Sequence, residues 1–104
     1  MSDLYDKEGK PISMEQWSKL FEDKRYQILK QTQIGPLLVS TVWLGIDHSF
    51  GEHPPLIFET MIFGTDEEEI WRYASEEQAL AHHDELCEQI RLLETVGADG
   101  EQGA

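Results

Sequence analysis

The residues predict an α+β domain: a small antiparallel sheet of three to four strands, a long C-terminal helix packed across it and a short N-terminal helix. Three features carry that expectation. Residues 37–46 and 56–63 are β-rich runs separated by a polar insert. Ser13 and Ser75 each open an S-x-x-Q capping box. After Ser75, the residues Ala79, Leu80, Leu86, Cys87, Ile90 and Leu93 recur near helical spacing.

In chain order, residues 4–12 hold Asp6, Glu8-Gly9 and Pro11, the marks of a tight turn or small hairpin. Ser13 then caps a helix over Met14–Glu22, with Met14, Trp17, Leu20 and Phe21 on one face toward the core. Residues 26–33 alternate weakly and are largely polar, which predicts an edge strand. Gly35-Pro36 makes a turn. The runs 37–46 and 56–63 carry large apolar residues at odd and even positions, which predicts central strands covered on both faces. Gly64-Thr65-Asp66 makes the next turn, and residues 69–73 form a short last strand. The long helix follows Ser75, with Glu76 and Glu77 complementing its dipole, and runs to about residue 94. The chain thus divides into a single α+β domain over residues 1–96 and a Gly-rich disordered tail over 97–104.

A chain of 104 residues, 39% hydrophobic with ten aromatic residues (four Phe, three Trp, three Tyr), builds one modest core and is not disordered as a whole. No apolar run approaches the roughly 20 residues of a membrane span. The N-terminal stretch has no apolar signal core, and a lone cysteine cannot form an internal disulfide. A cytoplasmic location is expected. Cys87 falls on the helical stripe and reads as a small buried hydrophobe. The charge is lopsided. Residues 1–46 balance six acids with six bases, whereas 47–104 hold fifteen acids against Arg72 and Arg91, which gives the net −13. That half disfavours phosphate and anionic membranes. Solubility is one reading of it; attraction to a basic protein surface, including one that normally holds nucleic acid, is the other.

The polar insert is the first candidate site. Asp47, His48, Glu52 and His53 crowd into seven residues, and imidazole and carboxylate are zinc or iron ligands. Asp47, His48 and His53 are therefore weak metal candidates, against the plain reading of a solvated loop. No H-E-x-x-H motif or Cys pair accompanies them, and no cofactor is predicted. If the strands pair in sequential order, Ser75 lies at the same end of the sheet as this loop. Glu59 then lies about 10 Å down its strand, and His83 about 12 Å down the helix. Both are polar residues in otherwise apolar surroundings, so a Glu59–His83 contact is expected, with Asp47 and His48 bending over it as an acid–base or metal pocket. The competing reading makes His83 a satisfied core histidine and leaves Glu59 to solvent or to Arg72. His82 turns toward the flank. No phosphate-cradling glycine loop is present, and no nucleophile elbow surrounds Ser40 or Ser49.

Taken together, these features favour a small acidic, non-enzymatic interaction protein over an enzyme, with a nucleic-acid mimic as a special case. Phe50, Glu67, Glu68, Glu69, Asp84, Glu85 and Glu88 are its partner-binding candidates. A protein partner is expected, direct nucleic-acid or membrane binding is not, and homo-oligomerisation is open.

Several motifs also resemble a family of small proteins encoded in actinobacterial genomes and their phages. They are TVWLG-x-DH-x-FG at 41–51, PPLIFETM at 54–61, RY at 72–73, EQALAHH at 77–83 and G-x-P-I-S-M-E-x-W at 9–17. The resemblance covers roughly residues 9–85. It implies a phage or actinobacterial origin and implies no mechanism. The family pattern has a small residue where this chain has His82, and a histidine at the position of His83.

Overall fold

The computed structural model describes residues 3–47, 54–66 and 69–103, with side chains as far as Leu93. Its elements are α1 (Met14–Glu22), α2 (Lys24–Gln27), β1 (Ile28–Ile34), β2 (Leu37–Trp43), β3 (Phe58–Phe63), β4 (Glu69–Tyr73) and α3 (Glu76–Gly103). The four strands form one antiparallel sheet in the order β1-β2-β3-β4. The expected α+β architecture is therefore present, with the long helix lying across the sheet.

Local chemistry sets the ends of the elements. The Gln16 amide donates to Ser13 Oγ at 3.1 Å and the Ser13 amide donates to Gln16 Oε1 at 3.0 Å, closing the capping box of α1. Asp23 ends α1 in an extended conformation and caps α2, accepting from the Arg25 amide at 3.0 Å. This second cap turns residues 24–27 into a helical turn, so β1 begins at Ile28, not at Tyr26 as the β-prone sequence suggests. Gly35, at φ 57°, takes the left-handed position of a two-residue hairpin with Pro36. Near the N-terminus, Asp6 accepts from the Glu8 and Lys10 amides, and Tyr5 bridges Pro11, forming the expected small hairpin.

The pleat decides which side chains meet the helices. Register pairs Val39 with Ile62, Thr41 with Thr60, and Trp43 with Phe58, so all six share one face. Trp71 and Tyr73 join them from β4. α3 packs on this face through Ala79, His83, Leu86, Cys87 and Ile90. At one end the core joins Ile34, Val39, Ile62, Cys87 and Ile90. At the other, Trp43, Ile57, Phe58 and Ala79 take in Trp17, Leu20 and Phe21 of α1. Gly45 makes that second junction possible. It has φ 73°, and a Cβ there would meet Trp43 at 2.4 Å and the Trp17 indole nitrogen at 2.8 Å. The same indole donates to the Leu44 carbonyl at 2.8 Å, fixing α1 beside the end of β2.

Both helices thus lie on one side. Leu38, Ser40, Val42, Glu59, Met61, Phe63, Ile70 and Arg72 line the other face, where none of the described helices packs. Phe63 is 47% exposed and Ile70 42%. Central strands covered on both faces were expected, because both parities are apolar. The structure instead buries one parity under α3 and leaves the other to shield itself across strands. Two further boundaries differ. Leu93, expected on the buried stripe, is 70% exposed, since contact with the sheet ends at Ile90. The helical backbone also continues to Gly103, past the end expected near residue 94 and into the stretch expected as a disordered tail. Glycine weakens a helix without forbidding it, and no proline interrupts this stretch.

Candidate functional site

Each strand places one hydroxyl on the face beneath α3: Thr32 from β1, Thr41 from β2, Thr60 from β3 and Tyr73 from β4. Threonine and tyrosine suit strands, and their polar ends need partners once buried. His83, wholly buried on α3, supplies two. Its Nε2 shares a hydrogen bond with Thr32 Oγ1 at 2.8 Å, and its Nδ1 with Thr41 Oγ1 at 2.7 Å. Thr41 and Thr60, directly opposite across the strands, are joined at 2.6 Å. The Tyr73 hydroxyl from β4 lies on the same face. Tyr73 bonds Nδ1 of His82, whose ring stands edge-on to Trp71 and Tyr73. A polar row therefore runs from Thr32 through His83 and Thr41 to Thr60 across β1, β2 and β3, and a second pair, Tyr73 with His82, lies beside it on β4.

Burial holds the His83 pKa below the usual histidine value, and the nearby Lys30 charge acts in the same direction against a smaller opposing effect of Asp84. The ring is thus kept neutral, with one nitrogen donating and the other accepting. Burial raises the Tyr73 pKa, partly offset by the Thr60 hydroxyl, so the phenol keeps its hydrogen. The row can orient hydrogen bonds and pass hydrogens along. It contains no activated nucleophile.

The expected four-residue pocket is not assembled. Glu59 has the parity opposite to that of Thr60, so it faces away from α3. There Arg72, its register partner, donates through Nε to Glu59 Oε2 at 3.2 Å. The competing reading of both residues is the one observed. Asp47 stands at the mouth of the polar loop, where Oδ1 accepts from the Leu56 amide at 3.2 Å and its own amide donates to the Asp3 carbonyl at 3.1 Å. It ties the loop's two ends together. His48, Phe50, Glu52 and His53 lie outside the described residues, as do Glu67 and Glu68. Among the described residues, no three His, Cys, Asp or Glu side chains gather as a metal site.

The remaining acidic candidates fall in two places. Glu69 is exposed at the start of β4, near the exposed Phe63 and Ile70. Asp84, Glu85 and Glu88 are exposed on α3, across the sheet from that patch. Lys30 donates to Asp84 at 2.6 Å, which holds that carboxyl below its usual range. Beside this pair lies an open groove of about 370 Å³ lined by Lys30, Thr32, Asp84, Cys87, Glu88 and Arg91. No helix of the described residues is long and apolar enough to cross a membrane.

Sequence reasoning missed Thr32, Thr41, Thr60 and Tyr73. The available signal was a threonine on the core parity of each central strand. It also placed His82 on the flank, whereas the ring is half-buried against β4. Comparison of the chain with family models, with curated proteins and with solved structures finds no match.

Proposed function

We propose that the protein is a small non-enzymatic interaction module, of phage or actinobacterial origin, that docks a basic protein through the uncovered face of its sheet. The observation that carries this reading is the apolar patch of Phe63 and Ile70 with Leu38 and Met61, set beside an acidic turn. Asp66 is exposed there, Glu67 and Glu68 follow it in sequence, and Glu69 is exposed at the edge where β4 begins, on the parity opposite to Ile70. An apolar centre with a charged rim is the usual build of a protein interface. The surplus of acids makes a basic partner the complementary one, and the wider negative field of α3 would speed its approach.

The test uses the protein as bait in an actinobacterial lysate, at low and at high salt. Basic proteins should be retained at low salt and released at high salt. The double variant Phe63→Ser with Ile70→Ser should lose them, and so should charge reversal of Glu67, Glu68 and Glu69. If both variants capture the same proteins as the wild type, the docking face is wrong. Self-association detected by light scattering, and abolished by the Phe63/Ile70 variant, would replace the basic partner with a second copy.

A further inference from the structure

The open face of the sheet has a charge at its centre. Glu59 stands there between Val42 of β2 and Arg72 of β4, and Met61 lies two residues along the same strand toward Phe63. It is the only acidic residue in β2 and β3. Only 11% of its side chain is exposed. A carboxylate so nearly buried costs free energy unless its oxygens find donors.

Arg72 serves one of the two oxygens. Its Nε donates to Oε2 at 3.2 Å, a single bond in place of the two-bond fork that guanidinium and carboxylate can make. No described residue donates to Oε1. Among the described residues, the only buried side-chain polar atom without a partner is Trp43 Nε1, so Oε1 is open to solvent. Arg72 itself is 41% exposed and can turn toward water. The face thus presents one carboxylate oxygen, bare and reachable, between Val42 and the cation that half-serves it.

We propose that Glu59 is the specificity residue of this face, its Oε1 taking the guanidinium of an arginine side chain from the docked protein. The inference rests on the open face being the docking surface for a basic protein, and it names the side chain that surface selects. Arginine suits the place better than lysine. A guanidinium gives up its water more readily than an ammonium, and its planar fork matches the carboxylate edge. Its methylene stem can lie over Met61 and Val42 while the charge reaches Oε1. Arg72 competes for the same carboxylate, so its removal should strengthen the capture.

The test titrates the labelled protein with three capped tripeptides, followed by amide spectra. They carry arginine, lysine or citrulline between two leucines, citrulline being the uncharged near-isostere of arginine. The arginine peptide should shift the amides of Val42, Glu59, Met61 and Arg72 and bind about tenfold tighter than the citrulline peptide, the size of one charge-assisted hydrogen bond. Glu59→Gln should abolish that preference, and Arg72→Gln should enlarge it. The same spectra check that both variants are folded. The proposal is overturned if citrulline or lysine binds as well as arginine, or if Glu59→Gln keeps the preference, which would assign it to the acidic rim. Loss of the preference in Arg72→Gln would also overturn it, because the ion pair would then act only as a structural unit. Failure of the docking face reads differently. Phe63→Ser with Ile70→Ser would then leave the capture of basic proteins unchanged, whatever the peptides do at Glu59.

Discussion

The two faces of the sheet treat the same problem, polar groups at the centre of a β-sheet, in opposite ways. Beneath α3 the polar atoms are neutral, wholly buried and linked to one another, with Thr41, Thr60 and His83 in one row. On the other face a charged pair, Glu59 with Arg72, stands beside the neutral Gln31–Ser40 bond, among side chains such as Phe63 and Ile70 that solvent still reaches. Neutral groups tolerate full burial once every bond is made, whereas an ion pair keeps more of its hydration by staying near water. The covered face should therefore carry the stability, and the open face should be free for another task.

Adjacent residues of β3 test that division most directly. Ile62 packs against Val39, Cys87 and Ile90, while its neighbour Phe63 points to the open face. Ile62→Ala should cost about 2–4 kcal/mol in urea unfolding followed by circular dichroism, as core truncations do. Phe63→Ala should cost less than about 1 kcal/mol, although it removes the larger side chain. Equal losses would mean that the open face is covered in solution.

The same pleat explains how much could be read from the residues. The capping box and bounds of α1, the Ser75 cap that accepts from the Gln78 amide and the strand order all follow from chemistry that a linear sequence displays. That Glu59 lies within a central strand and His83 on the helix packed over it was legible too. Their faces were not. Both parities of β2 and β3 are apolar, so the hydrophobic pattern cannot say which one meets the helix, and a one-residue difference sends a side chain to the opposite side. The polar row was hidden for another reason. Thr32 and Thr41 meet His83 across 51 and 42 residues of chain, and no spacing rule connects them. The helical turn at Lys24–Gln27 was obscured by the β-prone Tyr26 and Ile28, which its Asp23 cap overrides.

Acid should separate the faces next. The His83 pKa lies below the ordinary 6.5 in the fold, chiefly through burial. Between those two values the unfolded chain binds a proton that the folded chain refuses. The contribution of neutral His83 is therefore whole above about pH 6.5 and is lost as pH falls toward the folded value. Wild type should lose stability on acidification faster than His83→Asn, by at most about 1.4 kcal/mol per pH unit. Parallel urea midpoints against pH in the two proteins would show that His83 is not the group concerned.

The smallest effect is expected at the ion pair of the open face, and its size reports on what covers that face. Arg72 has 41% of its side chain exposed and Glu59 11%, so solvent screens the pair from one side only. Arg72→Gln should cost somewhat more than Glu59→Gln, because it leaves a nearly buried carboxylate without its cation, whereas the reverse change leaves a cation that can turn to water. The coupling from a double-mutant cycle should fall below about 1 kcal/mol and shrink as salt is added, as for partly exposed pairs. Coupling of several kcal/mol that salt leaves unchanged would belong to a desolvated pair. It would place another surface over Glu59 and Arg72 in the isolated protein. A second copy is the only macromolecule such a sample contains, so strong, salt-insensitive coupling would argue for self-association over an open docking face.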